Sequence, residues 1–225
     1  MTTVTFGQRA PRLIAPPPFN LNDPVWLERD RKVSYLERQL NQLCSYQDNI
    51  FALFMLIDHS RELDRPFDTD EAWRTPRPFE QWIKAAVAQS LLQTFEFNEH
   101  LAACNIALKA ALLTDVQPVK PSPSMLFKSH FPTMSFLRNS SAHPHEKFKS
   151  KELQQKHSVA HGISPITNDY KGGSLSVDVI LEDEYICTWG GAELRYHLNQ
   201  TTLDKLEEVK LAVFARIPDK FIQQA

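Results

Sequence analysis

Apolar positions in the first half of the chain recur at steps of three and four residues. Val33, Leu36, Leu40, Leu43, Ile50, Phe54 and Ile57 follow this rhythm, with Gln47 interrupting it. Such spacing lays one apolar stripe along an α-helix. Asp23-Pro24 adds a capping side chain and a proline suited to the first helical position. Together they predict one long amphipathic helix from about 23 to 62. A second long helix is predicted from about 78 to 113, carrying Trp82, Ile83, Ala86, Val87, Leu91, Phe95, Leu101, Ile106 and Leu108. Its many alanines allow close approach of neighbouring helices. The Pro-punctuated connector at 63–78 has room for one helical turn around Glu71–Arg74, and 114–123 reads as a loop. Ser124 is the expected cap of a third helical region, which Pro132 splits into 125–130 and 133–143. Pro144 should end the second piece, because the residue before a proline is biased away from α. Residues 144–173 are polar and poorly patterned, with one helical turn expected around 151–157.

The period then drops to two. Leu175, Val177, Val179 and Leu181 alternate with Ser174, Ser176, Asp178 and Ile180 as one strand. Tyr185-Ile186-Cys187-Thr188-Trp189 is a second, Gly190-Gly191 is a turn, and Ala192–Leu198 is a third. Glu182-Asp183-Glu184 fits the polar turn between the first two. Thr201 is the expected cap of a final helix to about Arg216, which Pro218 ends. The expected fold class is mainly α: a helical bundle with a small C-terminal antiparallel β-meander and a final helix. The organisation predicted is an extended arm over 1–20 and the bundle over 21–160. Residues 161–225 would form the meander and the C-terminal helix, packed on that bundle or part of the same domain.

Composition narrows the chemistry. With 225 residues and 42% hydrophobic content the chain can bury a core. Only six glycines argue against turn-rich β architectures and Gly-rich phosphate loops. A formal charge of −2 gives no global nucleic-acid footprint, so any such function needs a local basic patch. Cys44, Cys104 and Cys187 are well separated and lack a C-x-x-C pair, which fits reduced, buried thiols. The N-terminus shows no apolar h-region, and the longest apolar run, Ile50 to Ile57, is too short to span a bilayer. A cytoplasmic protein without membrane contact is therefore expected. Trp26, Trp73, Trp82 and Trp189 are assigned to packing.

The one chemically pointed segment is Arg138-Asn139-Ser140-Ser141-Ala142-His143. Arg138 and His143 are five apart, which on a straight helix separates them by about 140°. Asn139 and His143, four apart, share a face, so Asn139 could orient the imidazole. Pro144 places His143 at a helix C-terminus, which favours the protonated ring. A histidine that exchanges protons near neutral pH beside an arginine that clamps phosphate oxygens suits chemistry on a phosphodiester.

Leu137-Arg138-Asn139-Ser140-Ser141-Ala142-His143 resembles the signature of the HEPN superfamily. That signature is an Arg, four to six residues and a His, often with Asn straight after the Arg, set in an all-helical bundle. The resemblance covers this short motif plus a compatible helical layout over about residues 23–160. Many members of that family are metal-independent endoribonucleases of toxin–antitoxin, phage-defence and RNA-processing systems, and they commonly dimerise so that two motifs face one cleft. The resemblance implies His143 as general acid or base, Arg138 as stabiliser of developing negative charge and Asn139 as the group that orients the histidine or a phosphate oxygen. It implies no metal and no cofactor. The implied partners are RNA, a second copy of the chain and, for a toxin-like member, an antitoxin or regulatory protein. A subgroup carries a Tyr two residues after the His. Here His145 stands there, so a switch by Tyr modification is not expected.

Beyond the motif, Lys147, Lys149, Lys151 and Lys156 form a basic stretch diluted by Glu146 and Glu152. Lys147, Lys149 and Lys151, with His145, are the candidate RNA-binding residues, and Phe148 is read as an anchor to the bundle. His157-x-x-x-His161 has the spacing of a helical metal pair but lacks an evident third ligand. No nucleophile elbow, P-loop or dinucleotide fingerprint is present. Two further readings stand beside the ribonuclease: a non-catalytic HEPN-like module that binds RNA or protein, and a structural or assembly protein whose motif is coincidental.

Overall fold

The computed structural model describes residues 7–15, 22–63, 78–142, 149–160, 174–175 and 177–223. The expected turn at Glu71–Arg74 lies outside them. The described residues form mainly helix, with a small antiparallel sheet and a final helix. They gather into two compact units, and two long helices contribute to both. Helix α1 (Pro24–Leu63) belongs to unit one as far as Ile50 and to unit two from Phe51. Helix α2 (Pro78–Leu112) belongs to unit two through Phe95 and to unit one from Glu96. Among the described residues, no helix is long and apolar enough to cross a membrane.

Both long helices form where the apolar spacing places them. Asp23 Oδ1 accepts from the Val25 N–H at 2.9 Å, which caps α1 ahead of Pro24. Val33, Leu36, Leu40, Leu43, Ile50, Phe54 and Ile57 are all buried. So is Gln47, the residue that interrupts the stripe. Two expected core positions of α2 are instead on its outer side: Trp82 is 52% exposed and Ile106 66% exposed. Alternating steps of three and four leave the edge of a stripe ambiguous, and both residues fall beyond it. Trp82 instead sets its ring edge-on to Phe79.

In unit one, helix α3 (Pro123–His130) begins two residues earlier than predicted. Ser122, not Ser124, is the cap, accepting from the Met125 N–H. The hydroxyl before Pro123 wins because proline at the first helical position has no N–H to satisfy. Phe127 stacks on Phe97 with ring centroids 6.2 Å apart. Helix α6 (Gln200–Phe214), grouped here from Leu203 onward, brings Leu206, Val209 and Val213 to the core. Its cap is Asn199, whose Oδ1 accepts from the Thr201 N–H, rather than Thr201 itself. The N-terminal segment is extended because it pairs: Leu13 bridges Ile222, and the N–H of Ile14 donates to the carbonyl of Phe221. Ala15 is 1% exposed, so residues 7–15 are part of this unit's fold.

Unit two holds helices α4 (Met134–Ala142) and α5 (Lys151–His157) and the strands. The strand predicted over 174–181 is two pieces. Strand β2 (Ser174–Leu175) pairs with β1 (Val159–Ala160), and β3 (Asp178–Leu181) pairs with β4 (Glu184–Trp189). The alternation persists through both pieces, so sequence pattern does not reveal the break. Strand β5 (Ala192–His197) completes a three-stranded antiparallel sheet in the order β3-β4-β5. Gly190 and Gly191 have φ of 60° and 79°, the left-handed values that a two-residue hairpin loop requires. Tyr185, Ile186, Cys187 and Thr188 are buried in succession, so β4 is covered on both faces. The Tyr196 hydroxyl meets Thr94 Oγ1 at 2.7 Å inside this core.

Candidate functional site

Helix α4 carries the motif. Met134, Leu137 and Ser140 point into unit two, and α4 packs on β4 and β5. This anchoring leaves Arg138 and Asn139 half-buried on neighbouring sides. The Arg138 guanidinium lies over the Phe95 ring, 5.5 Å from its centroid. Its Nη1 donates to Asn139 Oδ1 at 3.2 Å. Its buried Nε has no hydrogen-bond partner among the described residues. The motif arginine is thus clamped by an aromatic face and by the adjacent amide, a geometry that suits the planar, permanently charged guanidinium.

The spacing argument pairs Asn139 with His143. Among the described residues, which do not include His143, Asn139 Oδ1 accepts from Arg138 Nη1. His143, His145 and Lys147 lie outside the described residues. Lys149 is exposed just before α5, and Lys151 is exposed at its first position. Ser150 caps α5, accepting from the Leu153 N–H at 3.3 Å. Hydrogen bonds from Ser150 and from its own backbone N–H hold the Glu152 carboxyl below its ordinary range. Neither Lys149 nor Lys151 forms an ion pair with a described carboxylate.

Among the described residues of unit two, two cavities flank α4. The larger, about 680 Å³, takes Ser141 of the motif in its wall with Arg61, Lys84, Val87, Ile180 and Tyr185. Its cations are already matched: Lys84 pairs with Glu80 at 2.8 Å, and Arg61 with Asp58 and Asp183. Burial pushes the Tyr185 phenol well above its ordinary range.

The smaller cavity, about 420 Å³, lies between Phe136 of α4, Leu153 and Lys156 of α5, and Trp189 at the end of β4, with Lys149 at its edge. His157 stacks on Trp189 with centroids 3.9 Å apart, and its Nδ1 accepts from the Gly190 N–H at 3.1 Å. Nδ1 is therefore unprotonated and the proton sits on Nε2. Trp189, expected from sequence to serve packing, lines this cavity together with Phe136. The available signal was the Gly-Gly turn beside the tryptophan, since a left-handed Gly190 is what aims its N–H at His157. His161, the other half of the histidine pair, lies outside the described residues. Among those that are described, no cluster of His, Cys, Asp or Glu is placed to hold a metal ion.

Comparison with protein-family models, curated proteins and solved structures finds no match to this chain.

Proposed function

We propose that the protein is a metal-independent endoribonuclease of HEPN type, acting on single-stranded RNA at a site shared between two copies of the chain. The observation that carries this reading is the Arg138–Asn139 unit, because it gives the Asn of the motif a physical task. Asn139 and Phe95 hold the guanidinium in one orientation, and a fixed cation is what stabilises charge developing on a phosphate at low reorganisation cost. In the proposed reaction the ribose 2′-oxygen bonds to the adjacent phosphorus and the P–O5′ bond breaks. His143 takes the 2′-hydroxyl proton as base or delivers a proton to the departing 5′-oxygen as acid. The products are a 2′,3′-cyclic phosphate and a 5′-hydroxyl. A straight helix would set Arg138 and His143 about 140° apart, which is the reason for assigning the site to a two-fold interface.

The test is incubation of the chain with single-stranded RNA in EDTA. Cleavage leaving cyclic phosphate ends, lost in R138A and in H143A while both stay folded, is the expected result. Cleavage that EDTA abolishes, or that survives both substitutions, overturns the proposal. A second reading, a non-catalytic RNA-binding module, is favoured by the cationic and aromatic lining of the smaller cavity and predicts binding without turnover.

A further inference from the structure

The cavity between α4, α5 and the β4–β5 turn joins features that neither a core nor a solvated loop requires. Phe136 is 51% exposed, although α4 buries Met134, Leu137 and Ser140 around it. An aromatic ring left half in water on a helix with a good apolar face is available to a ligand. Trp189 lines the same cavity, with the His157 ring packed against it. Lys149 and Lys156 are both exposed at this cavity, and neither is paired with a described carboxylate. A volume of about 420 Å³ lies within the range of about 300–1,000 Å³ that small-ligand sites occupy.

We infer that this cavity is a nucleobase subsite for single-stranded RNA. One unpaired base inserts between Phe136 and Trp189, and its flanking phosphates lie against Lys149 and Lys156. Aromatic faces accept any base, and lysines at the rim supply the backbone charge complement. A duplex keeps its bases stacked and does not enter, so the cavity selects single strands. Phe136 and Asn139 are three residues apart on α4 and so share a face, which puts the subsite on the Asn139 side of the motif helix. The inference rests on RNA being the ligand under the proposed function, and deepens it by naming where the strand is held.

Binding and cleavage can be separated with a fluorescein-labelled 2′-O-methyl uridine decamer, which lacks the nucleophilic hydroxyl and is not cut. Fluorescence anisotropy with the full chain should show saturable binding. F136A should weaken it about tenfold, in line with the loss of one stacked base. K149E/K156E should weaken it at least as much and flatten its dependence on salt. Both variants change exposed side chains, and circular dichroism checks that they fold. Equal affinity in the wild type and both variants overturns the inference, as does preference for a duplex or for an acidic aromatic peptide over the decamer. Binding that depends on Phe136 and the two lysines, in a chain that cuts no RNA, upholds the subsite and overturns the ribonuclease. Cleavage that ignores all three residues does the reverse.

Discussion

Arg138 donates through Nη1 to Oδ1 of Asn139, its neighbour on α4. Adjacent residues on a helix point about 100° apart, so the contact exists because the long arginine side chain bends back over Phe95. Asn139→Ala removes the only described acceptor for that guanidinium. A hydrogen bond to a charged group contributes about 1.5–3 kcal/mol, so under the proposed function kcat for RNA cleavage should fall about 10- to 100-fold while the chain stays folded. Asn139→Asp keeps an acceptor and should restore part of the activity. A fully active N139A would show that the pair has no part in the chemistry.

Lys210 is 1% exposed in unit one. Its Nζ lies 2.6 Å from Gln47 Oε1 and 2.6 Å from Glu207 Oε2. Burial raises the Glu207 carboxyl, but hydrogen bonds from Lys210, Gln47 and the Gln8 N–H outweigh it and hold the group below its ordinary range. Breaking a buried pair by removing one partner costs about 3–5 kcal/mol. Glu207 is only partly buried, so Lys210→Ala should lower the unfolding free energy in urea by less than that, about 1–3 kcal/mol. A loss under about 1 kcal/mol would show that the pair is solvated rather than buried.

Gly7 lies directly against the same cluster. A Cβ there would run into Glu207 Oε2 and Lys210 Nζ. Gly7→Ala should destabilise the chain by about 1–2 kcal/mol, the scale of overpacking a tight site. The loss should largely vanish when Glu207 is already replaced by Ala, because the nearest obstructing atom, Glu207 Oε2, is then gone. Additive losses in the double variant would separate Gly7 from the carboxylate.

Alkaline pH should weaken the fold. Burial pushes the Cys104 thiol up to about 12, and raises Cys44, Tyr185 and Tyr196 as well. Groups whose folded pKa lies above the unfolded value stabilise the fold fully below the unfolded value. That contribution is lost as pH rises through the folded value. Cys104 alone should cost about 2 kcal/mol by about pH 10.5. The urea midpoint should hold steady from pH 7 to about 8.5 and then fall, and Cys104→Ala should make the fall shallower. A flat midpoint up to pH 10.5 would contradict this.

The long helices are legible because each of their apolar residues repeats a local spacing. Gln47 breaks that spacing on α1, and its reason lies on α6: its amide donates to the Leu203 carbonyl at 3.3 Å and its oxygen accepts from Lys210. No local pattern announces a partner more than 150 residues away. The caps of α3 and α6 were misplaced by two residues for a different cause, since Ser122 and Ser124, or Asn199 and Thr201, are all chemically able to cap. Only the backbone path decides between them. Of the motif, Arg138 and Asn139 are readable as chemistry, but the Phe95 ring that α2 brings against the guanidinium is not. The small cavity joins Phe136 to Trp189, and neither residue is unusual in its own segment.

The proposed shared site is tested most directly by subunit complementation. R138A and H143A chains, each inactive alone, are co-expressed with different tags, and the mixed species is assayed on single-stranded RNA in EDTA. If each site takes Arg138 from one subunit and His143 from the other, the mixed dimer keeps one intact site and should recover about half the wild-type activity per dimer. A mixed dimer as inactive as its parents would contradict a site built across the interface.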